Sequence, residues 1–216
     1  MKPVLVLYAT HEGHTARIAR YVGSSLRVMD VPAEVVRISG IPLGFALHNY
    51  STAIIACSVH QGKHDAAIAK FVKSHLTELQ DMPTMFLSVS LSEAGAEDHE
   101  ASPEKRAHAT ADVQRMIDEF IAETGWAPDS VVPIAGALMY TKYNFLLRFI
   151  MKRIARDAGA STDTSQDHVF TDWAVLDRVA DFVAASAREQ VPRHAHFESR
   201  AAASQHSGLI GNSLSY

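Results

Sequence analysis

Three observations predict an α/β fold: a doubly wound, five-stranded parallel sheet with an amphipathic helical insertion after the fifth strand. Short apolar runs alternate with stretches that carry a helical apolar stripe. Several of the runs are apolar at consecutive positions, the mark of strands buried on both faces of a parallel sheet. The composition, 47% hydrophobic and 20% charged over 216 residues, is that of an ordinary globular domain.

Val4–Tyr8 (VLVLY) is the first strand. Ile18, Val22, Leu26 and Met29 form the stripe of the first helix. Ala33–Ile38 is the second strand, and Ile41–Tyr50, with Pro42 and Gly44, is a connector or a short helix. Thr52–Cys57 is the third strand. Ile68, Phe71, Val72, Leu76 and Leu79 mark one helix after it. Pro83–Val89 is the fourth strand, with proline at its tolerated first position. Ser92–Lys105 is polar and acidic and reads as a loop. Val113, Met116, Ile117, Phe120 and Ile121 mark the next helix, and Val131–Leu138 is the fifth strand. The insertion spans about 142–167 and ends in a polar loop, Ala158–Asp167. Trp173–Ala187 is the last helix, with Leu176, Val179, Ala180 and Val183 inward and Thr171 or Asp172 as its cap. Residues 1–187 form one domain. Residues 188–216, rich in Ala, Ser and His without hydrophobic period, read as a disordered tail.

The charge balance, 20 Lys+Arg against 24 Asp+Glu, argues against a general nucleic-acid binder. Cys57 is the single cysteine, which excludes an intrachain disulfide and fits a reducing cytoplasm. No apolar run approaches the roughly 18–20 residues of a membrane span, and the start of the chain lacks the pattern of a signal peptide.

Thr10-His11-Glu12-Gly13-His14-Thr15 joins the first strand to the first helix. Open α/β sheets bind ligands beyond the carboxyl ends of their strands. The amides of a helix N-terminus are donors at the positive end of a dipole and suit a phosphate. Thr10 and Thr15 offer hydroxyls, and Gly13 lets the backbone close around an anion. The plainer reading is a capped turn that only starts the helix.

This loop resembles the flavodoxin phosphate loop, T-x-T-G-x-T, and the order of strands and helices is similar too. More closely, the chain resembles the menaquinone-dependent protoporphyrinogen IX dehydrogenases, short flavodoxin-like enzymes of bacterial haem synthesis. Their loop carries an acidic residue at the position of Glu12. The resemblance continues through Gly62, Phe71-Val72-Lys73, Met82-Pro83, Ser88-Val89 and Ser102-Pro103-Glu104-Lys105-Arg106. Its most specific part is Ile134-Ala135-Gly136-Ala137-Leu138, Tyr140, Tyr143, Met151-Lys152, Thr162-Asp163-Thr164 and Thr171-Asp172-Trp173, because ordinary flavodoxins lack that insertion.

The resemblance implies FMN as cofactor. Thr10, His11, Glu12, Gly13, His14 and Thr15 would wrap its phosphate, with the Glu12 carboxylate turned away onto His14 or an amide. Ser58, Val59, His60, Gln61, Gly62 and Lys63 would flank the isoalloxazine on one side. Ser88, Val89, Ser90, Leu91 and Ser92 would flank it on the other. It also implies oxidation of protoporphyrinogen IX with electrons passed to menaquinone or ubiquinone, in haem biosynthesis. Homo-oligomers are compatible with this reading. Two departures stand out. Neither 57–64 nor 88–99 holds a Trp or Tyr to cover the ring, and His60-Gln61 stands where the dehydrogenases carry Arg and Tyr. The alternatives are a flavodoxin-like electron carrier, an NAD(P)H:quinone reductase, and a non-flavin module in which the loop is only a turn.

No catalytic residue follows from the sequence. His11, His60 and His64 are proton-transfer candidates or solvated loop histidines. His60-x-x-x-His64 has the spacing of a helical metal pair but sits in an expected loop, and no metal is expected. Cys57 reads as a small buried residue, and Trp126 and Trp173 read as packing anchors.

The segment Lys142–Arg156 (KYNFLLRFIMKRIAR) carries Lys142, Arg148, Lys152, Arg153 and Arg156 and no acidic residue. Arg148, Lys152 and Arg156 recur every four residues and share a helix face, with Leu146, Ile150 and Ile154 roughly opposite. Such a helix lies on an anionic membrane surface, here the inner face of the cell membrane, or meets the propionates of the substrate. Alternatively it packs on its own sheet with the basic face in water. Each basic residue at the surface adds about 1 kcal/mol of attraction. Changing Lys152, Arg153 and Arg156 together to Glu is therefore expected to release the protein from anionic vesicles in a sedimentation assay. Absence of salt-sensitive vesicle binding by the wild type removes the membrane reading.

Overall fold

The computed structural model describes residues 2–139 and 167–189. Its elements are β1 (Val4–Ala9), α1 (His14–Val28), β2 (Ala33–Arg37), β3 (Thr52–His60), β4 (Lys63–His64), α2 (Ala66–Ser74), α3 (Leu76–Gln80), β5 (Thr84–Ser90), α4 (Leu91–Glu97), α5 (Pro103–Thr124), β6 (Ser130–Ala135), β7 (Ala137–Leu138), β8 (His168–Val169) and α6 (Trp173–Glu189). The main sheet runs β2-β1-β3-β5-β6, parallel throughout. β4 pairs antiparallel with the end of β3.

β1 and β5 are buried at every position, so their unbroken apolar runs feed two cores at once. Alternation sends Val4, Val6, Ile54 and Leu87 to one face, covered by Ile18, Val22 and Leu26 of α1 and Leu176, Val179 and Val183 of α6. Leu5, Leu7, Ile55 and Phe86 face the other way, onto Ile68 and Val72 of α2, Leu79 of α3, Phe120 of α5, and Trp126. Each such Leu, Ile, Val or Phe contributes about 1.5–3 kcal/mol on full burial.

The fold class is as the sequence predicts, and several boundaries differ. The helix expected over Ile68–Leu79 is two helices that meet at His75, whose Nδ1 lies 3.0 Å from the Phe71 carbonyl oxygen and whose ring stacks on Phe71. The loop expected at Ser92–Lys105 holds most of α4 and the start of α5. Neither start shows an apolar stripe, but each has a side-chain cap: Ser90 accepts the Glu93 N–H and Ser102 the Lys105 N–H. The fifth strand is broken at Gly136, which donates its N–H to the Ser90 carbonyl. A Cβ there would lie 3.2 Å from that oxygen, so glycine permits the close approach. The last helix runs to Glu189, taking Arg188 and Glu189 from the expected tail. The insertion and residues 190–216 lie outside the described residues.

Asp172 caps α6 by accepting the Ala174 N–H. Thr171 does something else. Its buried hydroxyl donates to the Ala135 carbonyl at 2.6 Å and lies 2.7 Å from Nε2 of the buried His14. A hydroxyl whose proton is given to Ala135 can only accept from the ring, so Nε2 of His14 carries a hydrogen. This chain of bonds ties the end of β6 to the start of α1. Trp173 packs beside it, against Tyr21 and under the Arg17 guanidinium. Thr171→Val keeps the shape and breaks both bonds. It is expected to cost about 1–3 kcal/mol, read as a lower midpoint in thermal or urea unfolding.

Candidate functional site

The carboxyl ends of β1, β3 and β5 bring three segments together along one edge of the sheet. Between β1 and α1, Gly13 takes the left-handed conformation at φ 95° and serves as the helix N-cap. Thr10 Oγ1 accepts the Gly13 N–H at 2.9 Å, which closes the turn. No side chain caps α1, whereas side chains cap α2, α4, α5 and α6. The first-turn amides of α1 thus stand at the positive end of a helix packed on the sheet by one face, the setting that holds an anion. Thr15 is buried in the first turn. His14 is bound to Thr171, so its imidazole acts as a structural tie. Glu12 is half-buried in the same loop.

β3 runs three residues past the predicted end. Gln61 and Gly62, at φ 51° and 76°, make the two-residue turn that favours positive φ at both positions, and β4 follows. The sequence missed this hairpin because Gln-Gly is a weak turn signal beside Asn-Gly. The register pairs His60 with Lys63 and Val59 with His64. Opposed residues of an antiparallel pair share a face, so Ser58, His60 and Lys63 lie on one face and Val59 and His64 on the other. His60 and His64 therefore do not form the metal pair that helical spacing would give. Among the described residues no group of three or more His, Cys, Asp or Glu is arranged to hold a metal ion.

The two faces differ in character. His64 is packed against Phe86 and Phe120, and its Nε2 lies 2.9 Å from Ser88 Oγ. Burial pushes its pKa down to about 4, so it is neutral near neutral pH. On the opposite face Ser58 Oγ is buried without a hydrogen-bond partner, an atom a ligand could satisfy. His60 is exposed and stacks on His11 with ring centroids 4.9 Å apart. Nε2 of His11 lies 3.2 Å from Asp65 Oδ2, while Asp65 Oδ1 caps α2 through the Ala67 N–H. The Asp65 N–H also donates to Cys57 Sγ. Burial raises the Cys57 thiol far above its ordinary pKa, so it is no nucleophile.

The third expected segment proves mostly internal. Ser88, Val89 and Ser90 end β5 and are buried. The Ser88 hydroxyl is engaged with His64, Val89 packs in the core and Ser90 caps α4. Leu91 and Ser92 open α4. The reason is that β5 is sandwiched between β3 and β6 as far as Val89 and still pairs with β6 at Ser90. Sequence reasoning also missed the outer side of α4, where Glu93 and Glu97 join Val113, Ile117, Val131 and Pro133 around a cleft of about 390 Å³. Burial, then the neighbouring Glu97, raises Glu93 to about 7. Burial, then Asp172, raises Glu97. Their i,i+4 spacing after the Ser90 cap was the available signal.

Lys142, Arg148, Lys152, Arg153 and Arg156 lie outside the described residues. The segment that carries them leaves after β7 and returns at β8, and these two strands pair antiparallel. No described helix is long and apolar enough to cross a membrane.

The sequence matches a family model described as a flavodoxin domain over residues 5–165. It is 35% identical over 178 residues to the protoporphyrinogen IX dehydrogenase (quinone) of Escherichia coli K12, covering 82% of this chain and 91% of that protein. The protein of the same name from Leishmania major is 33% identical over 182 residues, 83% of this chain and 74% of its own. Among solved structures, flavodoxin 1 of Bacillus cereus is similar at 15% identity over 62% of this chain and 84% of its own, with a TM-score of 0.40.

The half-buried His64 gives a pH test. Its folded-state pKa near 4 lies below the ordinary 6.5, so the unfolded chain takes up the proton first. The stability it contributes is complete above about pH 6.5 and is lost as the pH falls towards 4, by up to about 3 kcal/mol. His64→Gln keeps a hydrogen-bonding side chain without this titration. The difference in unfolding free energy between wild type and variant is expected to fall with acidification across that window and to stay flat above it. Glu93 titrates in both proteins and cancels.

Proposed function

The chain belongs to the flavodoxin-domain family and, within it, to the quinone-type protoporphyrinogen IX dehydrogenases, and on that premise we propose that it is an FMN enzyme of haem biosynthesis that oxidises protoporphyrinogen IX and passes the electrons to a membrane quinone. The observation that carries the reading is the α1 start, capped by a left-handed Gly13 and by no side chain, next to the orphaned buried hydroxyl of Ser58. These groups fit a phosphate and a polar ring.

The first-turn amides of α1 would hold the phosphate. The Thr10 hydroxyl accepts from Gly13 and keeps its own proton to donate to it. Nothing resembles the paired glycines of a pyrophosphate loop, which favours FMN over FAD. The Ser58 hydroxyl and the backbone of the Gln61-Gly62 turn would meet the ring. Bound FMN would supply the redox chemistry, taking a hydride equivalent from the substrate in each of three rounds and returning the electrons to the quinone. The protein's own part is to orient the flavin and to present the substrate at the hairpin side. A lipid-soluble acceptor requires access to a membrane surface, for which the basic residues Lys142, Arg148, Lys152, Arg153 and Arg156 are the candidates.

Anaerobic mixing of the purified, FMN-loaded protein with protoporphyrinogen IX is expected to bleach the flavin absorbance, and a menaquinone or ubiquinone analogue to restore it. Bleaching by NADPH but not by the porphyrinogen would make the protein a nicotinamide-dependent quinone reductase instead. A preparation that retains no flavin would remove the proposal.

A further inference from the structure

The hairpin after β3 carries a charge arrangement that neither the phosphate loop nor the core requires. His60 and Lys63 are opposite each other in the ladder, share a face and are exposed. His60 stacks on His11, and His11 is held by Asp65. Asp65 is itself fixed, because its other carboxylate oxygen caps α2 and its N–H is bonded to Cys57. The order of support runs from α2 to Asp65, to His11, to His60.

Two stacked imidazoles repel each other when both are protonated. Asp65 offsets one of those charges, and Lys63 adds another positive charge on the same face. Of the groups around the pair, Glu12 is the acid adjacent to His11 in the chain, and His64, on the far face of the hairpin, is kept neutral by burial. With both imidazoles protonated, these two and Lys63 outweigh Asp65 and Glu12 together and call for an external anion. The class of ligand that fits is an oxyanion, a carboxylate or a phosphate.

We propose that His60 and Lys63 receive a propionate carboxylate of the substrate, with His11 and Asp65 as positioning residues that hold the His60 ring. This deepens the functional reading above and rests on it. The carboxylate docks the tetrapyrrole beside the edge of the sheet where Ser58 and the α1 amides lie. The exposed imidazole and ammonium lose little on desolvation and gain a charge-assisted hydrogen bond each.

The test compares protoporphyrinogen IX with its dimethyl ester, whose carboxylates are masked, in steady-state assays of the FMN-loaded protein. His60→Gln and Lys63→Gln are each expected to raise KM for the free acid about three- to tenfold, with kcat falling less than KM rises. For the ester the KM shift is expected to vanish. Asp65→Asn retains a good N-cap for α2 and is expected to raise KM for the acid in the same direction. His11→Phe keeps the stack without the charge and separates packing from electrostatics: retention of the wild-type KM in His11→Phe assigns the His11 role to stacking, and a raised KM assigns it to charge. Either result supports the positioning role when the ester is unaffected. FMN affinity, measured by titrating apoprotein, distinguishes the other source of the anion. A loss of FMN affinity in His60→Gln and Lys63→Gln, with acid and ester equally affected, assigns the pair to the flavin phosphate and overturns the proposal. Equal KM values for acid and ester in every protein overturn it as well. A wild type that oxidises neither substrate overturns the functional reading, and this inference with it.

Discussion

Burial of the central strands on both faces is the constraint from which the rest follows. β1, β3 and β5 are covered by helices above and below, so their polar backbone groups can be satisfied only along the ladder. Along their buried lengths the side chains are apolar or, like Ser88, bonded internally, and the unpartnered Ser58 hydroxyl stands near the carboxyl end of β3. Chemistry is pushed to the strand ends, and the parallel direction of the strands gathers their carboxyl ends on one edge.

At that edge the protein treats its helix starts unequally. Asp65, Ser90, Ser102 and Asp172 close α2, α4, α5 and α6 with their own side chains. Only α1 among these is left to Gly13. The neighbouring tie from His14 through Thr171 to Ala135 fixes the start of α1 against the end of β6. The tie holds that helix start in place without occupying its first-turn amides.

The β3–β4 hairpin divides labour by face. One face packs a neutral, half-buried His64 against aromatic rings, which anchors the hairpin to α5 and makes it sensitive to acid. The other keeps His60 and Lys63 in solvent, beside His11. Glu93 has the opposite pH slope: its raised pKa lets the folded state keep a proton that the unfolded chain loses, so its contribution fades as the pH rises from about 4.5 to about 7. The two partly buried groups thus pull the stability optimum from opposite sides.

The sequence by itself determined the fold class, the five parallel strands and the place of the first loop, because unbroken apolar runs and helical stripes are local patterns of hydrophobicity. The caps of α4 and α5, Ser90 and Ser102, are also in the sequence, but no apolar stripe marks the helix starts they close. Sequence did not show which of the three candidate loop histidines packs against aromatic rings, which pairs with an acid and which is left in solvent. His64, His11 and His60 differ only in what the folded chain places against them: Ser88 and Phe120, Asp65, and the His11 ring. Nor could it show that Ser88–Ser90 are internal, since that depends on β3 and β6 lying on both sides of β5. Local periodicity decides which way a residue faces within its own element. Only tertiary packing decides which distant residues come to meet it, and so whether a polar side chain is structural or available to a ligand.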